Sequence, residues 1–178
     1  MISLSDRIQQ RQTLLSTSRF QVDRVEYRLS SGQKASREVI QHPGAVVIIP
    51  VLEDGRICLI QNYRVAVDQQ ILELPAGTLE PYEPPLQTAY RELIEETGYR
   101  AGKMRPLLQL LMSPGILNER MHVFLAQDLT PGDTDLQAGE EIQNFLVSPE
   151  QAQKFLRDNV IQDSKTVSAL LYYLQFSV

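Results

Sequence analysis

Gly77-Thr-Leu-Glu-Pro-Tyr-Glu83-Pro-Pro-Leu-Gln-Thr-Ala-Tyr-Arg91-Glu92-Leu-Ile-Glu95-Glu96-Thr-Gly98-Tyr99 is the stretch on which the fold turns. It reads as a loop, one helix and a stop. Pro84 and Pro85 suit a helix start, where proline is pre-set for the first turn and forfeits no hydrogen bond. Gly98 suits the end, because glycine takes the left-handed conformation without strain. Leu86, Ala89, Leu93 and Ile94 recur at helical spacing and predict an apolar face. Glu92, Glu95 and Glu96 fall at i, i+3 and i+4, so their carboxylates project from another side within about one turn. Carboxylates so placed repel one another and raise each other's pKa. The negative end of the helix dipole adds to the penalty. A hard divalent cation among them removes both costs, and oxygen-rich sites favour Mg²⁺, Ca²⁺ or Mn²⁺. The ordinary alternative is a solvated acidic face.

The full spacing decides between these readings. Gly77, Glu83, the Arg91-Glu92 pair, the Glu95-Glu96 pair, Gly98 and the apolar residues Leu93 and Tyr99 fill every fixed position of a motif. In this the chain resembles the Nudix hydrolases. The resemblance implies an α+β fold, a Nudix-type α/β/α sandwich with a mixed β-sheet. It also implies hydrolysis of a nucleoside diphosphate linked to another moiety, with Mg²⁺ or Mn²⁺. By the same resemblance Glu92 and Glu96 are the main metal ligands, Glu95 a further ligand or catalytic helper, and the Ala76 carbonyl another ligand. Glu83 and Arg91 then form a structural ion pair tying loop to helix.

Other runs resemble one branch of that family, the ADP-ribose pyrophosphatases: Arg37-Glu38-Val39, His42-Pro43-Gly44-Ala45, Gln61-Asn-Tyr-Arg64 and Leu72-Glu73-Leu74-Pro75-Ala76-Gly77. The likeness covers roughly residues 20–176, giving an arm over 1–19 and a hydrolase domain over 20–178. It implies substrate-binding roles for Arg64, whose fork of donors can hold a phosphate, and for Arg37, Glu73, Pro114 and Glu119. Glu73 equally suits a buried structural pair, Pro114 a simple turn, and Arg64 a surface position. The branch also places a catalytic glutamate in a loop such as Pro131–Glu141, making Glu140 and Glu141 candidates, with Glu141 preferred beside its strand. A carboxylate there can accept or orient a proton of the attacking water. A homodimer is implied as well.

Composition narrows the partners. The chain has 178 residues, enough for one domain, and a net charge of −5. An acidic chain is poorly suited to nucleic acid, where phosphate contacts dominate affinity. No apolar run approaches the ~18 residues of a membrane span. The start, Met-Ile-Ser-Leu-Ser-Asp-Arg, lacks the form of a signal peptide, so a cytoplasmic location is expected. Cys58 stands alone in an apolar run and reads as a buried, inert thiol. The partner expected is a small nucleoside diphosphate.

Along the chain, residues 1–18 suggest a short helix or arm. Phe20–Leu29 and Lys34–Ile40, joined by Ser30-Ser31-Gly32, read as an N-terminal β-hairpin. Ala45–Val51 and Arg56–Tyr63 flank the turn signal Asp54-Gly55. Gln69–Leu74, Pro106–Leu111, Met121–Ala126 and Ile142–Val147 read as further strands. Ser148 and Gln151 form a capping box for one helix. Asp163 or Ser164 caps the last helix, with an apolar stripe of Val167, Leu170, Leu171 and Leu174. Three functions fit these features: an ADP-ribose pyrophosphatase, a broader nucleoside-diphosphate-sugar pyrophosphatase, and a non-catalytic ADP-ribose sensor. An interaction domain with a decorative acidic helix is a further alternative.

Overall fold

The computed structural model describes residues 7–136 and 141–176. Its chain separates into two compact units, Met1–Gly44 with Leu111–Arg120, and Ala45–Leu110 with Met121–Val178. In the first, β1 (Ile8–Ser16), β2 (Gln21–Arg28) and β3 (Lys34–Gln41) form an antiparallel sheet in that order. The expected hairpin is β2–β3, closed by a turn in which Gly32 has φ 87°. Ahead of the hairpin, Ile8–Ser16 is a strand rather than a short helix. The nine residues of β1 are all exposed. Register shifts between Ile8 and Gln10 and between Thr13 and Leu15 break its alternation, which hides the strand from a period-two reading.

The second unit holds two more sheets. One has the order β10-β5-β6, from β5 (Ile57–Arg64), β6 (Gln69–Glu73) and β10 (Ile142–Val147). The other has the order β7-β4-β9-β8, from β4 (Ala45–Pro50), β7 (Ala76–Thr78), β8 (Arg100–Leu111) and β9 (Arg120–Thr130). The sheet is mixed: β4 runs parallel to β9 and antiparallel to β7. All six residues of β4 are buried, as a strand covered on both faces requires. Val46 and Ile48 join Ala89, Leu93, Phe124 and Ala126 in one apolar cluster. Between β4 and β5 the chain turns at Leu52–Arg56, with Gly55 at φ 84°.

Helix α1 (Pro85–Thr97) begins after Pro84 and ends at Gly98, φ 75°, as proline and glycine dictate. It packs on β4 and β7. Helix α2 (Pro149–Arg157) has the full Ser148–Gln151 capping box, and α3 (Ser164–Phe176) starts from Asp163, whose side chain accepts from Thr166 N–H at 3.0 Å. Two details differ from the sequence reading. Strand β8 starts at Arg100 rather than Pro106, because an edge strand tolerates the polar, exposed run before it. On α3 the buried residues are Lys165, Thr166, Ala169 and Leu170, while Leu171 is exposed.

Candidate active site

The acidic helix is not a solvated face. Glu92 is 7% exposed and Glu96 4%, and both lie on the buried side of α1 with Thr88, Ala89, Leu93 and Thr97. Leu86, expected on that side, is exposed instead. Burial pushes the Glu96 carboxyl up to about 8, and the neighbouring Glu92 and Glu73 carboxylates push the same way. The Ala76 N–H, which donates to Glu96 Oε2 at 2.8 Å, and the Arg64 cation act against this rise. Strand β7 thus brings the Ala76 backbone against Glu96. It also brings Gly77 against Glu92: a Cβ at Gly77 would lie 1.9 Å from the Glu92 Cδ and Oε1.

Arg91 is the hub of the loop and helix. It holds Glu83 with two parallel bonds, Nε to Oε1 at 3.1 Å and Nη2 to Oε2 at 3.0 Å. Its Nη1 donates to Glu92 Oε1 at 2.7 Å and to Glu95 Oε2 at 3.1 Å. The guanidinium holds the Glu83 carboxyl below its ordinary range. Arg91 therefore does more than pair with Glu83; it also offsets the charge of two helix carboxylates. Among the described residues no three acidic, histidine or cysteine side chains converge as a finished metal cage.

A second cluster adjoins Glu96 electrostatically. Glu73, wholly buried at the end of β6, accepts from Arg64 Nε at 2.8 Å through Oε1, with Arg64 Nη2 also at 2.8 Å. Its other oxygen meets Lys165 Nζ from α3. Lys165 is paired with Asp163 at 2.9 Å as well. The Thr166 hydroxyl links the same turn to β6 by accepting from Leu74 N–H at 2.8 Å. Glu73 is thus in a buried pair with Arg64 and Lys165. Lys165 escaped the sequence reading because a lysine early in a helix ordinarily faces water. Only its neighbour Asp163 hinted otherwise.

Glu141 is exposed and directly precedes β10, whose Ile142 pairs with Asn62 on β5, two residues before Arg64. Glu140 lies outside the described residues. Arg37, Pro114 and Glu119 belong to the first unit. There Arg37 Nε donates to the Tyr27 hydroxyl at 3.2 Å. Pro114 sits in a turn closed by Ile116 and Leu117 N–H bonds to the Ser113 carbonyl, and Glu119 lies 3.8 Å from His42 Nδ1. Cys58 is buried and its thiol is pushed up to about 12 by that burial, so it is inert.

The chain as a whole has known relatives. Residues 41–171 match the model of the NUDIX domain. The chain is 37% identical to the ADP-ribose pyrophosphatase of Bacillus subtilis (strain 168), over 83% of this chain and 80% of that one. It is 37% identical to the methanol dehydrogenase activator of Bacillus methanolicus, over 86% and 83%. A GDP-mannose pyrophosphatase of Escherichia coli O1:K1 / APEC is 32% identical over 92% of both chains. Among solved structures, an ADP compounds hydrolase superposes with a TM-score of 0.83 at 26% identity, covering 95% of this chain and 92% of that one. The chain belongs to the Nudix family as a pyrophosphohydrolase with ADP-ribose pyrophosphatases among its relatives.

Proposed function

We propose that this protein hydrolyses the pyrophosphate bond of ADP-ribose, giving AMP and ribose 5-phosphate, with Mg²⁺ or Mn²⁺ as cofactor. The observation that carries the reading is the burial of Glu92 and Glu96 against the β7 backbone, a cost that supports a functional role for the pair. The donor set fits a hard cation: Glu92, Glu95, Glu96 and the Ala76 carbonyl are all oxygen ligands. When bound, such a cation lowers the pKa of water and neutralises phosphate oxygens.

The rest falls to the chain. Arg64, fixed by Glu73 and still 41% exposed at its side chain, offers its remaining N–H groups to a phosphate oxygen. Arg91 sets the orientation of Glu92 and Glu95. Glu141, at the β10 end near which β5 carries Arg64, accepts the proton of the attacking water as the phosphorus–oxygen bond breaks. Glu140 is the alternative for that step. Arg37, Pro114 and Glu119 are kept as substrate-binding candidates from the resemblance, with 20–178 as the hydrolase domain and 1–19 as an arm.

Relatives that act on ADP-ribose and on GDP-mannose share the nucleoside diphosphate sugar as substrate class. A panel of ADP-ribose, GDP-mannose, NADH and diadenosine polyphosphates, each with Mg²⁺ or Mn²⁺, tests the choice by kcat/KM. ADP-ribose ranking first supports the proposal; a preference for GDP-mannose would replace it with the broader sugar-nucleotide reading. Tight binding of ADP-ribose with no product would favour a sensor.

The protein is proposed to act in the cytoplasm as a homodimer. No described helix is long and apolar enough to cross a membrane. Strand β1 exposes Ile8, Leu14 and Leu15 at a sheet edge, a surface that pairing covers. Light scattering at micromolar concentration checks the dimer; a monomeric mass would refute it.

A further inference from the structure

We propose that Lys165 is a positioning residue for the substrate phosphate, holding one oxygen of buried Glu73 so that the other fixes the Arg64 guanidinium. The inference rests on the reading of Arg64 as the phosphate-binding arginine. It is independent of the metal ligands.

Three facts support it. Glu73 has no exposed surface, so its charge must be met inside the protein. It is met from two sides: Arg64 Nε and Nη2 both bond Oε1, and Lys165 Nζ bonds Oε2. Division of labour between the two oxygens matters. A carboxylate free to rotate could take Arg64 bidentately or share it poorly, whereas Lys165 pins the plane of the group from α3. With Nε and Nη2 used, Arg64 Nη1 is left without a partner among the described residues, on a side chain 41% exposed. An arginine prepared in this way loses little rotamer freedom when an anion arrives.

Lys165 is itself held. Asp163 Oδ2 lies 2.9 Å from its Nζ and accepts from both the N–H and the hydroxyl of Thr166. The Thr166 hydroxyl in turn accepts from Leu74 N–H, the residue after Glu73. The first turn of α3 and the end of β6 therefore form one polar unit around Glu73. Its position beside Glu96 puts the Arg64 cation within electrostatic reach of the acidic helix. A buried lysine with only structural work would not need an exposed arginine at the far end of its chain of contacts.

The test compares Arg64→Ala, Lys165→Met and the double variant by calorimetric binding of the non-hydrolysable α,β-methylene analogue of ADP-ribose with Mg²⁺, and by KM and kcat on ADP-ribose itself. Each single substitution should weaken binding by about tenfold, with KM rising and kcat changing much less. The double should be no weaker than Arg64→Ala, since Lys165 acts through that arginine. Should Lys165→Met fail to fold, Lys165→Gln, which keeps a donor for Glu73, should show the same change in smaller measure. Wild-type binding by the Lys165 variant, or losses that multiply in the double, would overturn the inference. Wild-type binding by Arg64→Ala would instead overturn the reading on which it rests.

Discussion

Gly77 lies directly against the carboxylate of Glu92, with room for a hydrogen and nothing larger. The nearest atoms to an added Cβ are the Cδ and Oε1 of Glu92 at 1.9 Å and Oε2 at 2.3 Å. These are the far end of a flexible side chain, so a methyl group there displaces the carboxylate rather than the backbone.

Gly77→Ala should consequently separate activity from stability. A displacement of about 1 Å in a catalytic group costs on the order of 10²-fold in rate. The melting temperature should fall by only a few degrees. Measuring kcat/KM and thermal unfolding on the same preparation checks both halves. Full activity would mean that the position of Glu92 is unimportant.

Arg91→Ala should weaken the metal-free protein by about 1–3 kcal/mol, because it removes a charged donor from Glu83 and from Glu92. Arg91→Lys should restore little of this, since an ammonium cannot reproduce the paired contact with Glu83. Added Mg²⁺ should recover part of the loss by screening Glu92 and Glu95. Urea unfolding with and without Mg²⁺ provides the comparison.

The raised Glu96 carboxyl gives a pH signature. Its folded value of about 8 lies above the ordinary 4.5, so the folded state binds the proton more tightly than the unfolded chain. Its contribution is intact below pH 4.5 and is lost as pH rises towards 8. Metal-free wild type should therefore lose stability relative to Glu96→Gln across that window. Mg²⁺ should raise the melting temperature more at pH 9 than at pH 6, because protons compete for the same oxygen. Parallel pH curves for the two proteins would contradict the burial argument.

Glu141→Gln should lower kcat by ~10²–10⁴-fold with KM little changed, the scale of a positioned acid–base group. Glu140→Gln in the same assay decides between the neighbours. If Glu141→Gln turns over like wild type, the proton acceptor is elsewhere.

What the sequence made legible was the part with fixed spacing. Pro84, Pro85 and Gly98 bracket α1 as local chemistry requires, and the Glu83–Arg91 pair forms across the loop. Strands β4, β5 and β10 carry enough apolar residues to be read directly. Other features depend on tertiary partners. Strand β7 is three residues long and β1 is bulged and exposed, so neither carries a readable period. The burial of Glu92 and Glu96 follows from the close approach of β7, which no helical wheel contains. Lys165 is buried only because Glu73 and Asp163 wait for it, and Glu73 lies far away in the chain.

The most direct test of the central claim is the turnover of ADP-ribose by Glu96→Gln in saturating Mg²⁺, measured as AMP released. The change removes the charge while keeping the side-chain size and the bond from Ala76 N–H. A fall in kcat/KM of ~10²–10⁴-fold, with an unchanged fold by circular dichroism, is the expected result. Wild-type turnover would show that the buried carboxylates of α1 do not perform the hydrolysis.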